Sequence, residues 1–263
     1  MEGPFAAPRV ELLGGAMDLV TPDQVLARIA QAAAGGPRVL IANHNLHSLY
    51  LLGREPQMAA FYARADLIEI DSRPAIAWGR LLGLPLRGVH RCTYLDWREA
   101  FWRLADEKRW RVFYLGGAPG VAEDAARRLK ARWPGAEIAV RHGFFERPAG
   151  SPEDAAVVAE INAFRPEVLL VGMGMPVQEA WILRHYDTLD AAAVLPVGAA
   201  FDYEAGAQRA APRMMGRLGL EWLFRLLSDP RRLFRRYLVE PWSLIRPAIK
   251  DLVRYRLGGR GAG

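Results

Sequence analysis

Asp71 is the residue of this 263-residue chain best placed for acid–base chemistry. It follows the apolar run Leu67-Ile68-Glu69-Ile70 and precedes Ser72-Arg73-Pro74, where proline opens a helix. A carboxylate at such a junction can accept a proton from an attacking hydroxyl. An aspartate there can equally serve only to cap the helix, and position alone does not separate the two. Glycine-rich turns form a second set. Gly172-Met173-Gly174-Met175-Pro176-Val177-Gln178-Glu179 reads as strand end, turn and helix start, where backbone amides can approach a phosphate. It also fits an ordinary tight turn. It lacks the third glycine of the dinucleotide fingerprint, and Gly116-Gly117-Ala118-Pro119-Gly120 lacks the Gly-Lys-Ser/Thr ending of a P-loop. A third set is arginine. Arg225, Arg232 and Arg235 are spaced by seven and three, so a continuous helix would carry them on one face. Their guanidinium forks match phosphate oxygens, although Pro230 interrupts the spacing and a solvated basic face is the alternative.

The five histidines, His44, His47, His90, His142 and His185, lie on separate segments apart from His44 and His47. That His-x-x-His pair has no neighbours to complete a ligand set, and no Asp-x-Asp motif holds a divalent ion. The expectation is chemistry without metal or other cofactor, with arginines balancing any diphosphate leaving group.

These residues need a sheet to position them. Apolar runs at 38–43, 66–70, 112–115, 136–140, 168–171 and 193–197 alternate with stretches of helical spacing. Thr21-Pro22 opens a helix to Ala33, residues 118–133 form another, and Ser151-Pro152 opens a third that ends before Pro166. The pattern predicts an α/β fold: a Rossmann-like parallel-sheet core with helices on both faces, residues 1–206, and a basic helical C-terminal appendage, residues 207–263. In such sheets ligands bind beyond the carboxyl ends of the strands. The residues there are Asn43-His44-Asn45, Asp71-Ser72-Arg73, the two glycine turns, and Gly198-Ala199-Ala200-Phe201-Asp202.

The net charge of +6 is unevenly placed. From Ala207 onward 13 basic residues face 4 acidic ones, whereas the preceding residues carry 22 basic and 25 acidic. A basic tail suits a phosphorylated small molecule, an anionic membrane surface or nucleic acid, and no nucleic-acid-binding motif accompanies it. In the tail, residues 218–227 and 231–239 read as amphipathic helices joined at Asp229-Pro230. The single Cys92 allows no disulfide within the chain and fits a reducing compartment. The first ten residues do not resemble a signal peptide, and no run of about 20 apolar residues suggests a spanning helix.

In order, these segments resemble the WecG/TagA/CpsF glycosyltransferases, glycosyltransferase family 26, from about Asn43 to about Tyr237. The most specific stretches are Gly172-Met173-Gly174-Met175-Pro176-Val177-Gln178-Glu179-Ala180-Trp181, Val197-Gly198-Ala199-Ala200-Phe201-Asp202, and the run from Arg209-Ala210-Ala211-Pro212-Arg213 through Glu221-Trp222 to Tyr237. The resemblance implies an inverting, metal-independent transfer of a hexose, N-acetylhexosamine or uronic acid residue. The donor would be a UDP-sugar and the acceptor a polyprenyl-diphosphate-linked sugar, in exopolysaccharide or cell-wall polymer synthesis. It assigns Asp71 as base, and Asn43, Asn45, Arg91, Gln178, Glu179 and Asp202 to the substrate pocket. Arg225, Arg232 and Arg235 would close over the diphosphate. It also implies a peripheral position on the inner face of the cytoplasmic membrane and allows a homo-oligomer. Many relatives carry Thr-x-Asn where this chain has Asn43-His44-Asn45, Asp-Gly where it has Asp71-Ser72, and Arg-x-x-Gly where it has Arg91-Cys92-Thr93-Tyr94; these departures bear on which sugar is moved rather than on reaction class. The alternative is a catalytically inactive nucleotide-binding scaffold of a membrane polysaccharide-synthesis complex, against which intact Asp71, Gln178 and Asp202 argue.

Overall fold

The computed structural model describes residues 7–208 and 221–257. Part of the family-like stretch, residues 209–220, lies outside the described residues, as do the side chains of Glu221, Arg225, Arg232 and Leu257. The chain opens with a hairpin of β1 (Arg9–Leu12) and β2 (Gly15–Asp18), which the sequence pattern did not announce. Its two-residue turn, Leu13-Gly14, has both residues at positive φ, 54° and 83°, as a type I′ turn requires. α1 (Pro22–Ala33) follows, closed at its start by a reciprocal capping box between Thr21 and Gln24.

All six apolar runs form strands: β3 (Val39–His44), β4 (Leu67–Ile70), β5 (Arg111–Gly116), β6 (Glu137–Arg141), β7 (Val168–Gly172) and β8 (Ala193–Pro196). They make one parallel sheet in the order β4-β3-β8-β7-β5-β6. Both faces are covered, so alternate residues enter different cores. On β5, Val112 and Tyr114 join one, Phe113 and Leu115 the other. The first face carries α1, α5 (Tyr94–Lys108), α6 (Val121–Arg132) and α9 (Ala200–Glu204). The second carries α2 (Leu46–Leu52), α3 (Pro56–Arg64), α7 (Pro152–Phe164) and α8 (Val177–His185). α4 (Arg73–Leu81) belongs to a third apolar cluster with the hairpin and the C-terminal segment.

Two features of the sheet shape the site. The outer edge of β4 is closed by the hairpin and by residues 91–92 rather than left open: Asp18 accepts the Ile68 N–H at 2.7 Å while paired with Arg9, and Ile70 O accepts the Cys92 N–H at 3.0 Å. In the middle, β3 and β8 pair only through Val39–Ala193 and Leu40–Val194, then part. Beyond that point β3 stays with β4 and β8 with β7. The parting falls at the carboxyl edge of the sheet, the position of the crevice in which an open α/β sheet binds its ligands.

The C-terminal segment is helical and docks on the hairpin side. α10 (Glu221–Ser228) and α11 (Pro230–Phe234) meet at Asp229-Pro230, as the sequence suggests. The chain then widens to π pitch over Arg235–Val239 and tightens over Glu240–Leu244 before α12 (Ile245–Leu252). Asp251, 5% exposed, accepts both the Leu13 N–H at 2.8 Å and the Trp78 indole N–H at 3.2 Å. A non-glycine residue at positive φ is costly, and here its amide is held from the far end of the chain. Asp251→Ala removes one acceptor and strands two donors, so we expect a loss of about 2 kcal/mol, or roughly 4–8 °C in Tm, in a thermal melt. An unchanged Tm would mean that this tie contributes nothing.

Candidate active site

The parallel strands bring the expected residues to one edge. On one side of the crevice stand Asn43 and Asn45 at the end of β3, and Asp71 just past β4. The ladder continues one step beyond the strand, since the Asp71 N–H donates to His44 O at 2.8 Å. The N-cap of the following helix is Ser72, whose Oγ accepts the Ala75 N–H at 3.2 Å. Arg91 bridges in parallel to Ile70, which sets it alongside the same strand end, and it pairs with Asp96 at 3.5 Å.

Asn43 and Asn45 both have identifiable structural partners. The Asn43 amide donates to Pro196 O at 3.0 Å, spanning the gap where β3 and β8 have parted. Asn45 caps α2, its Oδ1 accepting from the His47 and Ser48 N–H groups. The His-x-x-His pair does not converge. His44 is buried, with Nδ1 3.0 Å from Ser48 Oγ and its ring stacked on Tyr62, and burial pushes its pKa down to about 3. His47 turns to the appendage, its Nδ1 2.5 Å from Glu240 Oε2. Among the described residues no group of three or more His, Cys, Asp or Glu is arranged to hold a metal ion.

The opposite side is built by β5, β7 and β8. A Cβ on Gly172 would lie 2.2 Å from Tyr114 Oη and 2.3 Å from Gly198 O, so this glycine is fixed by packing of the protein on itself. Gly174, by contrast, has φ of +81° and open space where a Cβ would sit. The two readings of the glycine turn therefore divide between two residues: Gly172 packs, and Gly174 leaves room. Gln178, nearly fully buried, folds back on this turn. Its Oε1 accepts the Gly174 N–H at 3.1 Å and its Nε2 donates to Glu179 at 2.7 Å. Glu179 is fully buried and its Oε2 makes no hydrogen bond. Burial pushes its pKa up to about 7, against the Gln178 hydrogen bond and the charge of Arg236.

Phe201 stacks on Tyr114 at 3.7 Å and anchors α9, so that Asp202 stands half-buried near the Tyr114 hydroxyl, which donates to Gly198 O at 3.3 Å. Burial, then the charge of Asp202, holds that phenol well above its ordinary pKa. Of the appendage arginines, Arg235 is exposed, while the Arg225 and Arg232 side chains lie outside the described residues. Among the described side chains of the appendage, Arg236 places its charge on both Glu179 and His47. His47 is lowered first by burial, then by Arg236, against its bond to Glu240. Sequence spacing missed Arg236, Glu240 and Glu179's burial; the Arg235-Arg236 doublet was visible, but not which member turns inward.

Fold and site together define a doubly covered parallel α/β protein that presents a carboxylate, buried polar groups and arginines beyond the carboxyl ends of its strands. The chain matches the Glycosyl transferase WecG/TagA/CpsF family over residues 10–258 and belongs to that family of enzymes. It is similar to an N-acetylglucosaminyldiphosphoundecaprenol N-acetyl-beta-D-mannosaminyltransferase of Staphylococcus aureus strain MW2, 27% identical over 237 residues that cover 86% of this chain and 87% of that protein. Proteins of the same name from strains NCTC 8325 / PS 47 and COL match to the same extent.

The division between the two glycines is testable. Gly172→Ala must displace backbone, and we expect it to cost about 1–3 kcal/mol in chemical denaturation. A Gly172→Ala protein as stable as the parent would show that the turn relaxes freely.

Proposed function

We propose that this enzyme transfers a hexose, N-acetylhexosamine or uronic acid residue from a UDP-sugar to a polyprenyl-diphosphate-linked acceptor, with inversion and without a metal ion. The observation that carries this reading is Asp71: it lies past the end of β4 beside a crevice and Arg91, and the capping job that would otherwise account for it belongs to Ser72. In the proposed step the acceptor hydroxyl oxygen attacks the anomeric carbon and its proton passes to Asp71. The bond from that carbon to the diphosphate oxygen breaks, and UDP leaves with the electron pair. A single displacement inverts the anomeric centre. Negative charge grows on the diphosphate as the bond breaks, and fixed cations in a water-poor site stabilise it most. Arg91 and the appendage arginines, to which Arg236 is added, are the candidates for this work. Asn43, Asn45, Gln178, Glu179 and Asp202 are proposed to hold the sugar nucleotide. The names of the S. aureus relatives make UDP-N-acetylmannosamine the first donor to try and a diphosphoundecaprenol-linked N-acetylglucosamine the first acceptor.

Release of UDP from that pair should persist in EDTA. Asp71→Asn should slow turnover about a hundredfold to ten-thousandfold while UDP binding is retained, and Arg236→Ala should raise the donor KM. Full turnover in Asp71→Asn would remove it as base. UDP binding without turnover in the unaltered enzyme, with either sugar pair, would favour the scaffold alternative.

A lipid-linked acceptor requires the enzyme to reach a membrane. Among the described residues no helix is long and apolar enough to cross one. The appendage instead exposes Phe234, Trp242, Ile245 and Ile249 beside Arg246 and Lys250, a combination that favours attachment to an anionic surface. Replacing Trp242 and Ile249 together by serine should weaken cosedimentation with phosphatidylglycerol vesicles about tenfold or more. Undiminished cosedimentation would contradict attachment through this face.

A further inference from the structure

We propose that Glu69 is a positioning residue for Asp71: a buried carboxyl that keeps its proton beside the base and thereby limits the negative charge the site presents to an incoming diphosphate. The proposal rests on the reading of Asp71 as base and of UDP as the donor's carrier. Its geometry comes from the sheet. Glu69 pairs with Asn43 and Ile70 with His44, and the Asp71 N–H carries the ladder one residue further. Glu69 and Asp71 are therefore two residues apart on the same side of a strand, roughly 6–7 Å along it. Glu69 is 4% exposed, and its Oε1 makes no hydrogen bond.

The charged and titratable groups around it come from three elements: Asp71 beyond its own strand, Asp96 in the first turn of α5, and Arg91 with Cys92 on the segment bridged to Ile70. Arg91 is already paired with Asp96. Two neighbouring carboxyl groups in a poorly solvated place do not both ionise readily, and the more deeply buried one retains its proton. Burial pushes the Glu69 carboxyl up to about 8, with the charge of Asp71 adding to the effect and the Trp97 indole offsetting part of it.

During transfer the hydroxyl proton goes to Asp71 and Glu69 holds its own proton throughout. Once Glu69 ionises, a second negative charge stands next to Asp71, repels the diphosphate and competes for Arg91. Donor binding then fails at alkaline pH while the residues that contact the donor are unchanged. The same proton has a stability signature. The folded-state pKa lies above the ordinary value of 4.5, so between about pH 4.5 and 8 the folded chain binds a proton that the unfolded chain has lost. This contribution to stability is present at low pH and is lost as pH rises through the folded value.

The test is calorimetric titration of UDP at pH 7 and pH 9, with thermal melts from pH 6 to pH 9, on the full chain and on Glu69→Gln. The Kd for UDP should rise about tenfold between the two pH values in the parent and stay flat in Glu69→Gln. The Tm advantage of Glu69→Gln should grow from pH 6 to 8 and then level off. An alkaline rise in Kd that persists in Glu69→Gln, or melting profiles that run parallel, would overturn the role of Glu69. Absence of UDP binding at pH 7 would overturn the donor reading and this role with it, whereas an active Asp71→Asn enzyme would overturn the base while the melts still report the Glu69 proton. Should Glu69→Gln not fold, infrared spectra of the parent decide. A protonated-carboxyl band at pH 7 that fades by pH 9 is expected, and its absence at pH 7 overturns the proposal.

Discussion

The parting of β3 from β8 after two residue pairs is the constraint on which the candidate site depends. A parallel sheet gains from every ladder bond, so strands separate only where something else satisfies the freed groups. Here two substitutes do this: the Asn43 amide on Pro196 O, and the Tyr62 hydroxyl on Asn43 O at 2.8 Å. The crevice therefore has a paired strand on each side and a polar bridge between them. The asparagine at position 43 supplies an amide donor long enough to cross the gap. Beyond β4, Ser72 supplies the cap of α4.

Charge is handled in the same spirit. The site gathers Glu69, Asp71, Glu179 and Asp202 around a place proposed to receive a diphosphate, which would be self-defeating if all four were ionised. Burial raises two of them, Glu69 to about 8 and Glu179 to about 7. The histidine between the two asparagines is driven the other way and stays neutral. What remains charged is distributed between the core and the appendage, where Arg236 acts on Glu179 and Glu240 meets His47. The appendage thus adds its own charges to the electrostatics of the crevice.

The main sheet was legible in the sequence because its strands are buried on both faces, which leaves continuous apolar runs such as Val168-Leu169-Leu170-Val171. Helices opened by Thr21-Pro22 and Ser151-Pro152 were legible through their caps. The hairpin was not, since its turn is Leu13-Gly14 rather than the asparagine- or aspartate-glycine that marks a type I′ turn; Leu13 is held there by Asp251, 238 residues away. No local pattern carries such information. The position of Asp71 was legible, but the assignment of the helix cap to Ser72 was not, because the two residues compete for the same duty in sequence. Among the arginines, spacing pointed to Arg225, Arg232 and Arg235; Arg236 was not legible, because adjacent helical residues point about 100° apart and nothing in the doublet says that Arg236 is the less exposed member.

The tie between the two ends of the chain gives the appendage a fixed reference on the core. α12 holds the hairpin through Asp251, Tyr255 donates to Glu11 O at 2.8 Å, and Arg256 reaches Leu81 O. The hairpin in turn closes the edge of β4, the strand that leads to Asp71. A continuous set of contacts therefore runs from the exposed apolar side of α12, through the hairpin, to the strand that carries the proposed base. The helix whose outer face is proposed to meet the membrane and the strand that leads to the proposed base are therefore both tied to the same hairpin.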